Sequence, residues 1–196
     1  MVDEIGVTGA VGAVLAAFGL SGAAGRNAWL PLLGIGLADR IGVGDLGSPY
    51  DWLSSVPGLV VVGTLLLLDM VGDKVPALDS VLHAVGLVVA PASGAVLFAA
   101  QTDLNSGLPP AVAVLLGALT AEGVHAGRTA VRPWITASTA GVGNPVVSAT
   151  EDGASLAVTL LAFLVPVLAF LLVLALLVLL LVLVLRARRW LRRRRS

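Results

Sequence analysis

The chain has 196 residues, of which 58% are hydrophobic and 12% charged, and its mean hydropathy is +1.00. Soluble domains carry about 25% charged residues, so this composition excludes a soluble globular enzyme and fits a single integral membrane domain with short connections. The formal net charge is zero and there is no cysteine, which excludes disulfides, thiolate metal sites and cysteine nucleophiles.

A hydrocarbon core of about 30 Å needs about 20 apolar residues per crossing helix. The first apolar run, Ile5 to Gly25, follows an acidic "MVDE" rather than the basic start of a cleavable signal peptide, and is read as a retained helix. Gly6, Gly9, Gly12, Gly19, Gly22 and Gly25 fall at three-residue spacing within it, the pattern that lets helices approach closely inside a bundle. "NAWLPLLGIGLAD", Asn27 to Asp39, is apolar but too short to cross. Pro57 to Val71, Val81 to Ala100 and Leu108 to Val124 are the next candidate spans. "VRPWITASTAGVGNPVVSATED", Val131 to Asp152, is polar and broken by proline, so it is expected, with the Asn27 segment, to be re-entrant or interfacial. Leu156 to Leu185 is about 45 Å long as a single helix and predicts a tilted, lipid-facing anchor with a kink at Pro166. Trp29, Tyr50, Trp52, Trp134 and Trp190 fall at the proposed boundaries, as an aromatic belt requires. The expected fold is an all-α polytopic transmembrane bundle over residues 1–185, with five full spans and two short segments.

Seven of the twelve Lys and Arg residues lie in "RARRWLRRRRS", residues 186–196, leaving the rest of the chain at net −7. Basic clusters beside a span stay on the cytoplasmic side, so the C-terminus is expected in the cytoplasm, with anionic lipid at the basic tail and no nucleic-acid partner. Five crossings then put the N-terminus outside, Arg26 and Arg40 inside, and Lys74, Arg128 and Arg132 outside. "AGRNAWLP" from Ala24 matches "AGRTAVRP" from Ala126 without a gap, and "SPYDWLSS" from Ser48 faintly echoes "SATEDGAS" from Ser148. Three spans between the copies predict an inverted repeat with halves 5–75 and 107–180, an arrangement common in secondary transporters.

The polar residues within these apolar runs are the candidates for function, because an ionisable side chain at membrane depth needs a partner. Asp69 and Asp73 share a helical face at the C-terminal end of a span, where the helix dipole disfavours anions, and Lys74 follows them. Arg26 and Arg128 occupy matched positions in the two copies. Crossed pairs are expected, Arg128 with Asp69 or Asp73 and Arg26 with Glu151 or Asp152. Glu122 and His125 have the Glu-x-x-His spacing of di-metal sites in helical bundles; with Asp69 and Asp73 they form a candidate metal set, although a hydrogen-bonded polar cluster without a cofactor is the preferred reading. Pro76 is expected to end one helix and Asp79 or Ser80 to cap the next. Asn144, Ser148, Glu151 and Asp152 are read as structural, with Ser148 and Glu151 at capping-box spacing before the last span.

"GRNAWLPLLGIGLADR", "LDMVGDKVPALDS", "APASGAVLFAA", "GVHAGRTAVRP" and "NPVVSATEDG" occur in the order and spacing of a bacterial membrane family, domain of unknown function 4126, which the chain resembles over about residues 5 to 170. Its most specific signature is matched by Asp69, Asp73, Lys74, Pro76, Asp79 and Ser80; the family more often carries Glu at the position of Asp69. The resemblance implies a multi-span membrane protein of the bacterial plasma membrane and supplies no activity. The residues point to a small carrier or channel for an ion or small polar solute. A membrane-embedded metal-dependent or acid–base enzyme acting on lipid, and a non-catalytic scaffold, are the alternatives, and self-association is left open.

Overall fold

The computed structural model describes residues 2–72, 76–102 and 107–193; of these, the side chains of 2–8, 76–80, 83 and 187–193 are outside the description. Asp73 and Lys74 lie outside the described residues. All regular structure among the described residues is helical: α1 Val2–Ala24, α2 Trp29–Arg40, α3 Val56–Gly72, α4 Pro76–Thr102, α5 Pro110–Thr139, α6 Asn144–Leu164 and α7 Pro166–Arg193, with a 3-10 turn at Asp51–Ser54. The fold is an all-α helical bundle. Four segments are long and apolar enough to cross a membrane, Ala84–Thr102, Pro110–Thr139, Asn144–Leu164 and Pro166–Arg186, and Gly9–Ala24 and Val56–Gly72 are shorter apolar helices.

Proline punctuates this chain. Pro76, Pro110 and Pro166 each open a helix, where the missing N–H costs nothing and the fixed φ is already helical. Two expectations change in consequence. Pro76 begins α4, so Asp79 and Ser80 fall within its first turns rather than capping it. Pro166 does more than kink: the run from Leu156 to Leu185 is two helices, α6 and α7, which double back at Val165. Pro133 is accommodated inside α5, which runs on to Thr139 and ends where Ala140 and Gly141 take positive φ (50° and 84°). The polar stretch Val131 to Asp152 is therefore no separate re-entrant segment; it is the end of one long helix and the start of the next.

Close contacts give the helix directions. Ser21 of α1 meets Gly94 of α4, and Gly94 lies against Gly117 of α5. Gly25 packs on Ala121 and Val124, and Ala17 clusters with Ala113, so α1 and α5 run the same way with α4 against them. α2 turns back along α1 and brings Ile35 into the core with Leu20. α3 returns antiparallel to α2, Gly36 meeting Leu53 and Leu59. α6 is antiparallel to α1, since Asp152 reaches Asn27 and Ser155 reaches Ala23. α7 runs with α1: Ala169 sits on Gly19, Val173 on Gly22, Leu177 on Gly123 and Leu180 on Gly127.

Odd-numbered helices thus point one way and even-numbered helices the other. The helices in which the two copies begin, α1 for Ala24 and α5 for Ala126, lie side by side and parallel rather than inverted, because α2 adds a return pass that its short apolar run did not announce; the first copy then turns into α2 while the second stays in α5. For the same reason Arg40 lies at the opposite end of the bundle from Arg26, Arg128 and Arg132. Arg40 is held there by the Ser54 carbonyl at 3.0 Å.

Backbones meet most closely where side chains are absent. A Cβ on Gly94 would fall 2.5 Å from the Gly117 carbonyl oxygen, and one on Gly25 2.3 Å from that of Ala121. In lipid the driving force for helix association is this close packing, together with buried hydrogen bonds such as Ser21 Oγ donating to the Gly94 carbonyl at 3.0 Å.

Candidate functional site

The site is built where α1 ends. Asn27, 2% exposed, terminates the α1–α2 turn, and its Oδ1 accepts from the Trp29 and Leu30 amides, both at 3.1 Å. This is N-cap chemistry from an Asx side chain. It fixes the amide so that Nδ2 faces the other way, donating to Asp152 Oδ1 at 2.8 Å and to Asp69 Oδ2 at 3.3 Å. One neutral side chain therefore joins α1 to two carboxylates, one on α3 and one on α6. Asp152 Oδ2 is buried and makes no hydrogen bond among the described residues.

Beside this hub a cavity of about 200 Å3 opens between α1, α3, α4 and α5. Asn27, Asp69, His125, Arg26 and Arg128 are its polar lining, against apolar walls from Leu65, Leu68 and Val85. His125 is 2% exposed, and its ring lies on Gly86 of α4, where a Cβ would come within 2.8 Å of Cε1. Gly86 leaves room for the imidazole to reach the cavity wall.

A second cluster lies on α5 and α6. Arg128 Nε forms an ion pair with Glu151 Oε2 at 2.7 Å, and Arg132 Nη2 donates to the same oxygen at 3.0 Å. Arg128 Nη1 also donates to the Arg26 carbonyl at 2.8 Å. Arg128 thus crosses from α5 to both α1 and α6, locking the end of α1 in place.

Depth follows from α7. Arg186, its first arginine, lies six residues beyond Leu180, the residue that packs on Gly127. At 1.5 Å per residue, the Arg128 level is about 9 Å inside that point and about 21 Å from Pro166 at the other end. The polar groups therefore lie within the apolar length of α7, toward its basic end.

Of the expected site residues, the structure brings Asp69, Arg26, His125 and Arg128 to one cavity. Glu122 is on the neighbouring turn of α5 but does not line it; its Oε2 is buried without a hydrogen bond among the described residues. No three His, Asp or Glu residues gather at metal-ligand spacing among the described residues, so Asp69, Glu122 and His125 do not form the described part of a metal set. Asp73 and Lys74 are outside the description.

The pairing of Arg26 is corrected. It meets neither Glu151, which Arg128 and Arg132 occupy, nor Asp152, which Asn27 occupies, and its side chain makes no hydrogen bond or ion pair among the described residues. The capping reading of Ser148 and Glu151 is corrected too. α6 begins at Asn144, so Ser148 lies inside it fully buried, and Glu151 and Asp152 carry the contacts between helices. Asn144 marks the helix start and accepts from Thr136 Oγ1 at 3.0 Å. Asn27 and Arg132 were missed as site residues. The one signal for Asn27 was its place after Gly-Arg at a helix break, where Asn is a preferred cap.

Fold, depth and polar cluster define a polytopic helical membrane protein with a polar site inside its bundle. The family model described as Domain of unknown function (DUF4126) matches residues 14–186, and the chain belongs to that family. No curated protein and no solved structure matches it.

Proposed function

We propose that this protein is a small carrier or channel for an ion or small polar solute, residing in the bacterial plasma membrane with its C-terminus cytoplasmic. The observation that carries the reading is the cavity of about 200 Å3 at the α1–α2 break, lined by Asp69, His125, Arg128 and Asn27 at membrane depth. Irregular backbone at that depth is tolerated where it lines a cavity, and broken helices build the sites of many transporters. Asp69 supplies anionic oxygens at the cavity wall for a cation or proton, with Asp152 behind it on the same Asn27 amide; Arg26 and Arg128 balance charge or receive an anion. With the basic end of α7 inside, Arg26, Arg128 and Arg132 also fall toward the cytoplasm, in accord with the positive-inside rule, and an N-terminus outside agrees with the alternating helix directions.

The test is flux in liposomes loaded with pH-, sodium-, potassium- and chloride-sensitive dyes, wild type against Asp69→Asn and His125→Gln. Transport of one of these ions that both variants reduce supports the reading. Flux unchanged in Asp69→Asn removes that carboxylate from the mechanism.

The scaffold reading is favoured by one observation, the sharing of Glu151 between two arginines of α5, which binds helices together without a ligand. It predicts that Asp69→Asn lowers stability while no tested ion moves even through the wild type.

A further inference from the structure

A separate groove of about 320 Å3 runs between α5, α6 and α7, on the far side of Arg128 from the solute cavity. Three guanidinium side chains, Arg26, Arg128 and Arg132, line it with a single carboxylate, Glu151. That carboxylate already serves Arg128 and Arg132, and the Arg26 guanidinium has no hydrogen bond or ion pair among the described residues. The remaining walls are largely apolar, with Val131, Ile135, Val147 and Leu180 among them. Val131, 45% exposed, forms the rim. Next to it α7 turns Leu179, Val182 and Leu183 outward, so the groove is continuous with the lipid-facing surface.

Positive charge toward the basic end of α7, with Val124, Ala154 and Leu176 lining the groove on its deeper side, fits a molecule with a phosphodiester and a hydrocarbon chain. A free anion would leave the apolar walls without a role, and a neutral lipid would leave the Arg26 guanidinium without one. Basic pockets between membrane helices on the cytoplasmic side hold anionic headgroups in this way, and guanidinium matches phosphate with paired donors. We infer that this groove binds one anionic phospholipid, its phosphate on Arg26 beside Arg128 and Arg132, and an acyl chain along Val124, Ala154 and Leu176, which lie farther from the basic end of α7 than the arginines. The site is distinct from the diffuse attraction of the C-terminal arginines and does not depend on the solute reading.

The experiment is thermal unfolding and native mass spectrometry of the full chain in neutral detergent, titrated with phosphatidylglycerol, phosphatidylcholine or inorganic phosphate. Phosphatidylglycerol is expected to raise the unfolding temperature saturably and to remain bound as a single adduct, whereas phosphatidylcholine and phosphate do neither. Arg26→Gln should weaken phosphatidylglycerol about tenfold, the loss expected for one charge-assisted contact. Val131→Trp fills the groove from an exposed position with every arginine intact and should abolish the adduct. Neutralising Arg192 to Arg195 together should leave it in place. Equal stabilisation by phosphatidylcholine, stabilisation by phosphate alone, or an adduct lost with the tail but kept in Val131→Trp would each overturn the assignment. If Arg26→Gln fails to fold, Val131→Trp and the tail variant still decide it.

Discussion

Asn27 tests the architecture of the site most directly, because four hydrogen bonds converge on one side chain. Its Oδ1 caps α2 by accepting from the Trp29 and Leu30 amides, and its Nδ2 donates to Asp152 at 2.8 Å and Asp69 at 3.3 Å. Asn27→Ala removes all four. Loss of an Asn cap costs about 1 kcal/mol. A hydrogen bond to a charged group contributes about 1.5–3 kcal/mol in soluble proteins, but interhelical bonds measured in membranes average about 0.6 kcal/mol. Taking the short Asp152 contact near the higher scale and the long Asp69 contact near the lower gives a total of about 3–5 kcal/mol, a fall on the order of 10 °C in unfolding temperature for a chain of this size.

Asn27→Asp separates the terms. The carboxylate keeps the cap acceptor but replaces the donor with a third negative oxygen facing Asp69 and Asp152, so it should destabilise more than alanine at neutral pH. Adding Asp152→Asn returns an amide opposite the new carboxylate and should recover at least half of the loss. The assay is thermal unfolding in detergent followed by tryptophan fluorescence, with Trp29 two residues from the change. Asn27→Asp as stable as Asn27→Ala, or no recovery on adding Asp152→Asn, would refute the claim that Asn27 acts as a donor between two carboxylates.

Further predictions rest on packing, pairing and water access. Gly117→Ala places a Cβ 2.2 Å from the Gly94 carbonyl oxygen and should cost about 1–3 kcal/mol or more, whereas Gly63→Ala, with nothing within 4 Å, should be neutral or slightly stabilising in the same melts. Glu151→Gln leaves Arg128 and Arg132 without their shared anion and should cost about 3–5 kcal/mol, with little dependence on salt because the pair is largely buried; a deficit that vanishes at high salt would contradict this. The chain has no cysteine, so single cysteines report access without background. A water-soluble maleimide should label Leu68→Cys at the cavity and spare Val182→Cys on the lipid face of α7; equal protection of both would mean that the cavity is dry.

The membrane class, the helical fold and the family were legible in the sequence, because apolar runs of about 20 residues and a spaced polar signature are strong signals. Helix direction was not. "LPLLGIGLAD" has the apolarity of a buried segment and the length of neither a span nor a loop, so nothing local told that it returns along α1. That single return pass decides the orientation of the repeated motif and the end of the bundle at which Arg40 lies. The hairpin at Val165 was hidden for another reason. The turn uses one residue and a proline, inside a run whose composition does not change, so hydropathy shows one continuous helix. At the site, Asp69, His125 and Arg128 were found by their cost: charge or hydrogen-bonding capacity in an apolar run. Asn27 escaped because it is neutral, and Glu151 and Asp152 because acids near a helix start have an adequate local explanation.

The carboxylates fall into two environments, and this divides their roles. Glu151 lies between the guanidinium groups of Arg128 and Arg132 and fixes α6 to α5. Asp152 is met by the neutral Asn27 amide, and its second oxygen is buried without a hydrogen bond among the described residues. Asp69 is tied to the same amide by the longer contact of 3.3 Å and also faces the cavity. A cation or proton arriving there would therefore meet Asp69 at the cavity wall, and Asp152 is linked to Asp69 through Asn27. Because Asn27 also caps α2, a change in either carboxylate is coupled to the α1–α2 break. Removing one of the two capping amides by Trp29→Pro, with Trp29→Ala as the control for the lost cavity-lining indole, should alter any Asp69-dependent flux beyond the control without touching a carboxylate; flux that follows Asp69 but is the same in both variants would place the response elsewhere.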